Sequence, residues 1–170
     1  VLERTRAVPG VESAAAIYPL PLNHESLGAQ FEVSGRDNEE DLFANTVWTT
    51  PDWFETGGIL LRSGRNFDQR DSAESAPVVM VNRAMAERIW PGDAAIGQRI
   101  TIRELERQVI GVVENSVYID LDEETPLIVY YPQAQISTRR RFVMVRTQGE
   151  PMAVWPSVQA AITPIDQAQP

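Results

Sequence analysis

Five kinds of residue group in this 170-residue chain could do chemistry or engage a partner. His24 stands beside Glu25 and Ser26. An imidazole can take a serine proton while a carboxylate orients the ring. Adjacent positions do not fix that geometry, and no Gly-x-Ser-x-Gly elbow occurs anywhere in the chain. Carboxylates gather at Asp120, Asp122, Glu123 and Glu124, at Asp68 and Asp71, and at Asp37, Glu39, Glu40 and Asp41. Such groups can hold a divalent cation through oxygen, but none has the spaced ligands and central glycine of an EF-hand loop, so they read as solvated loops. Gly57-Gly58, Gly64 and the Gly92 to Gly97 stretch lack the spacing that aims backbone N–H groups at a phosphate. The residues therefore predict no catalytic centre, no metal site and no cofactor. Two features remain as candidate partner contacts. Trp53-Phe54 is an aromatic pair ahead of two glycines, and such a pair can anchor a partner. Arg139-Arg140-Arg141 is the one basic run, suited to an acidic surface or lipid head groups, or to plain solvation.

Composition narrows the classes further. Lys and Arg together number 15, all of them Arg, against 24 acidic residues, for a net charge of −9. That balance argues against nucleic-acid or anionic-membrane binding as the main role, because both rely on neutralising phosphates. The absence of cysteine removes thiolate zinc sites, disulfides and Cys nucleophiles together. No apolar run approaches the ~20 residues of a membrane span. Because the first residue is Val, a segment of a longer protein is expected.

The elements that must position these residues alternate irregularly. A helix end over 1–8 stops at Pro9-Gly10, and an extended run follows over 11–22. Further strands are expected at 30–34, 44–50, 59–62, 77–81, 99–102, 106–113, 127–131 and 142–147, from their β-branched and aromatic content and their alternation. Pro51 presets a short helical turn. Asn82 stands as the N-cap of an amphipathic helix with Ala84, Met85, Ile89 and Trp90 on one stripe, ended by Pro91-Gly92. Gly111 permits a bulge or a close backbone approach. A last helix opens at Pro151, carries Trp155, Val158 and Ile162 on one face, and is expected to end at Pro164. Trp48, Trp90 and Trp155 are expected in the core. About nine short strands and three helices in mixed order make the fold class α+β.

Six segments in this order resemble a known family. They are Pro51–Phe54 (PDWF), Gly58–Phe67 (GILLRSGRNF), Ala76–Ile100 (APVVMVNRAMAERIWPGDAAIGQRI), Arg107–Val117 (RQVIGVVENSV), Leu127–Gln133 (LIVYYPQ) and Phe142–Pro151 (FVMVRTQGEP). Each is weak alone; their order and spacing over Leu2 to about Ile165 are similar to the periplasmic core domain of MacB-type ABC transporter permeases. The likeness is greatest to the acidobacterial-style permeases of that group. Trp53 stands where Tyr is common, Asn115 where Asp or Gly is frequent, and the family's upstream strand is missing.

The resemblance implies a two-lobed extracytoplasmic domain. A ferredoxin-like lobe would form from the chain ends, residues 1–22 and 141–170, around an inserted strand-rich lobe of residues 23–140. It also implies a non-enzymatic, periplasmic part of an inner-membrane protein, coupling cytoplasmic ATP hydrolysis to export by conformational transmission and partner docking. The implied partners are the permease's own transmembrane helices, an ATP-binding subunit or domain, and a periplasmic adaptor or outer-membrane component. The full transporter is expected as a homodimer and the isolated segment as a monomer. Two rivals are a lipoprotein-handling or cell-division permease of the same superfamily, and a secreted hydrolase using a pair among Asp120, Asp122 and Glu124.

Overall fold

The computed structural model describes residues 1–21, 27–35, 41–92, 94–116, 125–136 and 140–166. The elements in chain order are α1 (Leu2–Arg6), β1 (Val11–Tyr18), β2 (Gly28–Val33), β3 (Leu42–Thr49), α2 (Trp53–Gly57), β4 (Leu61–Gly64), β5 (Val78–Asn82), α3 (Arg83–Ile89), β6 (Arg99–Ile102), β7 (Leu105–Val113), β8 (Ile128–Pro132), β9 (Phe142–Thr147) and α4 (Pro151–Asp166). The mixed α/β, strand-rich expectation holds. Proline at 164 does not end α4, which runs on to residue 166.

The strands pair in the order β2-β6-β7-β5-β8-β3, and β2 pairs back onto β3, so these six close into a ring. The β3 strand is the hub. One edge runs parallel to β8 over Asn45–Thr49. Its other edge is divided: β2 takes Leu42–Asn45, and β1 takes Trp48 and Thr49. The β1 strand then pairs antiparallel with β9 from Val11↔Thr147 to Ile17↔Phe142, and β4 joins the far half of β7. The sheet is thus continuous across the boundary expected near residue 22, through the two register pairs Ile17↔Thr49 and Tyr18↔Trp48.

Strand alternation sorts the core into two clusters on opposite faces of the sheet. Phe31, Val33, Ala44, Trp48, Val79, Val81, Ile100, Ile102, Val109, Val129 and Tyr131 come from all six ring strands, and Met85, Ile89 and Trp90 of α3 pack with them. The opposite parity places Val47, Val78, Met80, Ile110, Ile128 and Tyr130 with Ala15 and Ile17, under Trp53, Phe54, Ile59 and Phe67. The β5 strand is buried at every position, as its unbroken apolar run requires.

Asn82 ties the two regions together. Its side-chain oxygen accepts from Met85 N at 3.2 Å, capping α3, and from Ile128 N at 3.0 Å; its amide donates to Pro126 O at 2.8 Å. All of it is buried. Gly111 does both things a glycine there permits. The β5–β7 register skips from Val109 to Gly111, and a Cβ at 111 would stand 2.5 Å from Arg65 O. Trp90 is buried as expected, whereas Trp155 is half exposed, because α4 turns Val158 inward instead.

Candidate interaction surface

The aromatic pair is not at the surface. Asp52 precedes α2, and Gly58, left-handed at φ 69, reverses the chain immediately after it. This folds both rings inward: Trp53 is 5% exposed and Phe54 4%. Phe54 meets Tyr130 edge-on at 5.2 Å and Phe67 at 6.2 Å. Two adjacent rings bury roughly 150–250 Å² each, which outweighs any gain from leaving them in water. Trp53 and Phe54 are core residues in this conformation, a correction to their expected place as surface anchors.

Of the arginine run, Arg139 lies outside the described residues, while Arg140 and Arg141 are exposed. They lead directly into β9, which among the described residues pairs with β1 alone and ends the sheet path. Phe142 and Val143, the first residues of β9, are each 36% exposed. The structure thus brings two cations and two apolar side chains together at the open end of the sheet. Sequence reasoning found the cations but not their neighbours.

The carboxylate groups divide. His24, Glu25 and Ser26, and the set Asp120, Asp122, Glu123 and Glu124, lie outside the described residues, as do Asp37, Glu39 and Glu40. Asp68 and Asp71, expected as a solvated loop, instead form a knot with arginines. Arg65 grips Asp71 through two bonds of 2.7 and 2.8 Å, and Asp68 N donates to the same carboxylate at 2.9 Å. Arg70 holds Asp68 at 2.7 Å. The Arg65 bond, chiefly, keeps the Asp71 carboxyl below the usual range. Among the described residues, no three His, Cys, Asp or Glu side chains gather as a metal site would need. A groove of about 540 Å³, lined by Ser63, Ala86, Trp90, Pro91, Ala95 and Ile96, is mostly apolar and brings no general acid and base together.

A chain of ring contacts crosses the sheet. Arg107 lies over Tyr131 at 5.1 Å, Tyr131 stacks on Trp48 at 5.7 Å, Trp48 meets Tyr18 at 6.0 Å, and Tyr18 stacks on Phe142 at 6.3 Å. It runs from β7 through β8, β3 and β1 to β9, ending beside the exposed arginines. Burial lowers the Arg107 guanidinium from its usual range; the Tyr131 hydroxyl opposes that shift and Arg103 adds to it. Burial pushes the Tyr131 hydroxyl up to about 12. Arg107 escaped the sequence reading, although its inward parity with Val109 on β7 was legible.

Comparison with known proteins places this architecture. The family described as MacB-like periplasmic core domain matches residues 1–165. The macrolide export ATP-binding/permease protein MacB of Neisseria gonorrhoeae is 30% identical over 74 residues, 44% of this chain and 12% of that protein. Its Haemophilus ducreyi counterpart is 30% identical over 88 residues, 52% of this chain and again 12% of that protein. The chain therefore corresponds to a small part of these relatives. The periplasmic region of MacB from Actinobacillus actinomycetemcomitans superposes with a TM-score of 0.70 at 16% identity, over 98% of this chain and 72% of that one. The extracellular domain of the ABC-type transporter YknZ from Gram-positive bacteria gives 0.65 at 17% identity, over 98% and 80%. At these identities the superpositions speak to fold, and the family match over 1–165 speaks to kinship: the chain belongs to the MacB-like periplasmic core domains.

Proposed function

We propose that this domain is a non-catalytic coupling and docking element of an ABC transporter permease, transmitting conformational change from a cytoplasmic ATPase to export outside the inner membrane. The observation that carries the reading is the family match over nearly the whole chain. Export is preferred over lipoprotein handling or cell division because the curated relatives are macrolide export proteins. Docking, in this reading, uses Arg140, Arg141, Phe142 and Val143. The partners are the permease's own membrane helices, an ATP-binding unit, and an adaptor or outer-membrane component.

The two-lobe division belongs to the same proposal. In its support, α1 and α4 touch each other, α4 touches β9, and β1 pairs with β9, while among the described residues β1 is the strand of this group that pairs with the ring. The open edge of β9 is where an outer strand of a ferredoxin-like lobe would pair. The full transporter is read as a homodimer and this chain as a monomer at micromolar concentration; light scattering that gave a stable dimer would contradict the latter.

The test uses the complete permease with its ATPase in proteoliposomes. Arg140→Ser combined with Arg141→Ser should depress export while basal ATP hydrolysis persists. Undiminished export would remove these residues from docking. ATP or ester hydrolysis by the purified chain above a mock preparation would overturn the non-catalytic reading.

A further inference from the structure

Two charged side chains are buried among the described residues, Asp71 and Arg107. Asp71 has Arg65 as its counter-ion. Arg107, 9% exposed, has none: it forms no ion pair with any carboxylate among the described residues. A cation taken out of water without a counter-charge is costly unless its N–H groups are all satisfied. Here they are not. Its Nη1 donates to Ile102 O at 3.2 Å and Leu105 O at 3.0 Å. A guanidinium has five N–H donors, and the three on Nε and Nη2 find no acceptor among the described residues. Arg107 as a whole keeps 9% of its surface exposed.

A second observation points to the same place. The β6–β7 turn holds Arg103 at φ 50 and Glu104 at φ 64, a left-handed pair that hairpins normally give to Asn and Gly. The exposed Arg103 sits in this strained turn, whose flanking carbonyls Arg107 itself holds, and its charge opposes the Arg107 cation. Fastening the turn explains Nη1, which holds the carbonyls on either side of it. It explains neither the remaining N–H groups of the guanidinium nor the second cation. The guanidinium carbon lies over the Tyr131 ring, 5.1 Å from its centroid.

We propose that this end of the strand ring is an anion-binding site, in which Nε and Nη2 of Arg107 receive two oxygens of a carboxylate or phosphate group while Arg103 supplies longer-range attraction. A planar guanidinium edge presents the fork that pairs two-to-two with such oxyanions. The site stands independently of the transport reading.

The test is NMR of the arginine Nε–H groups in the 170-residue chain. Sodium acetate and inorganic phosphate are titrated separately at ionic strength held constant with chloride. The Arg107 resonance should shift saturably with a millimolar constant in at least one titration; whichever anion binds more tightly identifies the group preferred. Arg103→Gln, an exposed change away from the core, should weaken that binding roughly threefold, the scale of one screened charge a few ångströms away. Arg107→Lys keeps the charge but loses the fork, and should abolish the preference for acetate or phosphate over chloride. No saturable shift with either anion overturns the site. So does binding that Arg103→Gln leaves unchanged, a result readable even if the Arg107 variant fails to fold.

Discussion

Asn82→Ala is the substitution whose cost follows most directly from the geometry. It removes three bonds at once from a residue with no solvent exposure. Losing the α3 cap to Met85 N costs about 1 kcal/mol. Stranding the buried Ile128 N–H costs about 2 kcal/mol, within the range for an orphaned donor. The Pro126 carbonyl is only part-buried and can recover a water, so it adds about 1 kcal/mol. Together these come to about 4 kcal/mol, or a fall in Tm of roughly 8–16 °C for a domain of this size. Urea melts followed by tryptophan fluorescence, with unchanged slope, would measure it. Asn82→Asp provides a second reading of the same site. It keeps both acceptor bonds but turns a carboxylate oxygen toward Pro126 O in a buried place. Burial raises the folded-state pKa of the introduced carboxyl above its unfolded value of ~3.9, so this variant is least damaged below that value and loses stability as pH rises through the folded pKa. A loss under about 1 kcal/mol for Asn82→Ala, or a pH-independent deficit for Asn82→Asp, would refute the reasoning.

Trp90→Ala should cost about 3–5 kcal/mol, because the ring is 2% exposed and nothing larger than its neighbours could fill the gap; denaturant melts giving under about 1 kcal/mol would contradict its packing. Trp155→Ser on the exposed face of α4 should change stability by less than about 1 kcal/mol in the same assay, although both residues are tryptophans on helices. Asp71→Asn should flatten the acid limb of the stability curve. The carboxyl is held low by Arg65, so its contribution is present above the unfolded value of ~3.9 and vanishes as pH falls through the folded pKa. Thermal melts across that range should therefore converge for variant and parent at the acid end.

Local chemistry made much of the scaffold readable. Asn82 ahead of an amphipathic stripe, Pro91-Gly92 behind it, and the apolar run over Val78–Val81 each follow from short-range rules, and each is where those rules put it. What could not be read was decided by distant partners. Trp53 and Phe54 sit in a turn, the usual place for exposed residues, and only the approach of Phe67 and Tyr130 makes it interior. Asp71 looked solvated because its counter-ion, six residues away, folds back onto it through an irregular loop that periodicity does not describe. Ring closure was likewise invisible, since β2 and β6 are separated by more than sixty residues and no local pattern announces their pairing. Arg107 was hidden by expectation: an arginine in a strand is assumed to face water, and parity alone indicated otherwise.

The narrow junction at β3 has a mechanical consequence. The antiparallel β1 and β9 strands leave their shared hydrogen-bonded pair at the same end, Val11 beside Thr147. Tension between the chain's two ends would therefore peel that pair open one bond at a time, working also against the Arg6–Asp52 ion pair and the Arg146 bond to Thr56 O. A torque is different. Rotating β1 against the ring meets the Tyr18–Trp48–Tyr131 stack at once, so twist is delivered into the ring through side chains as well as through the two register pairs.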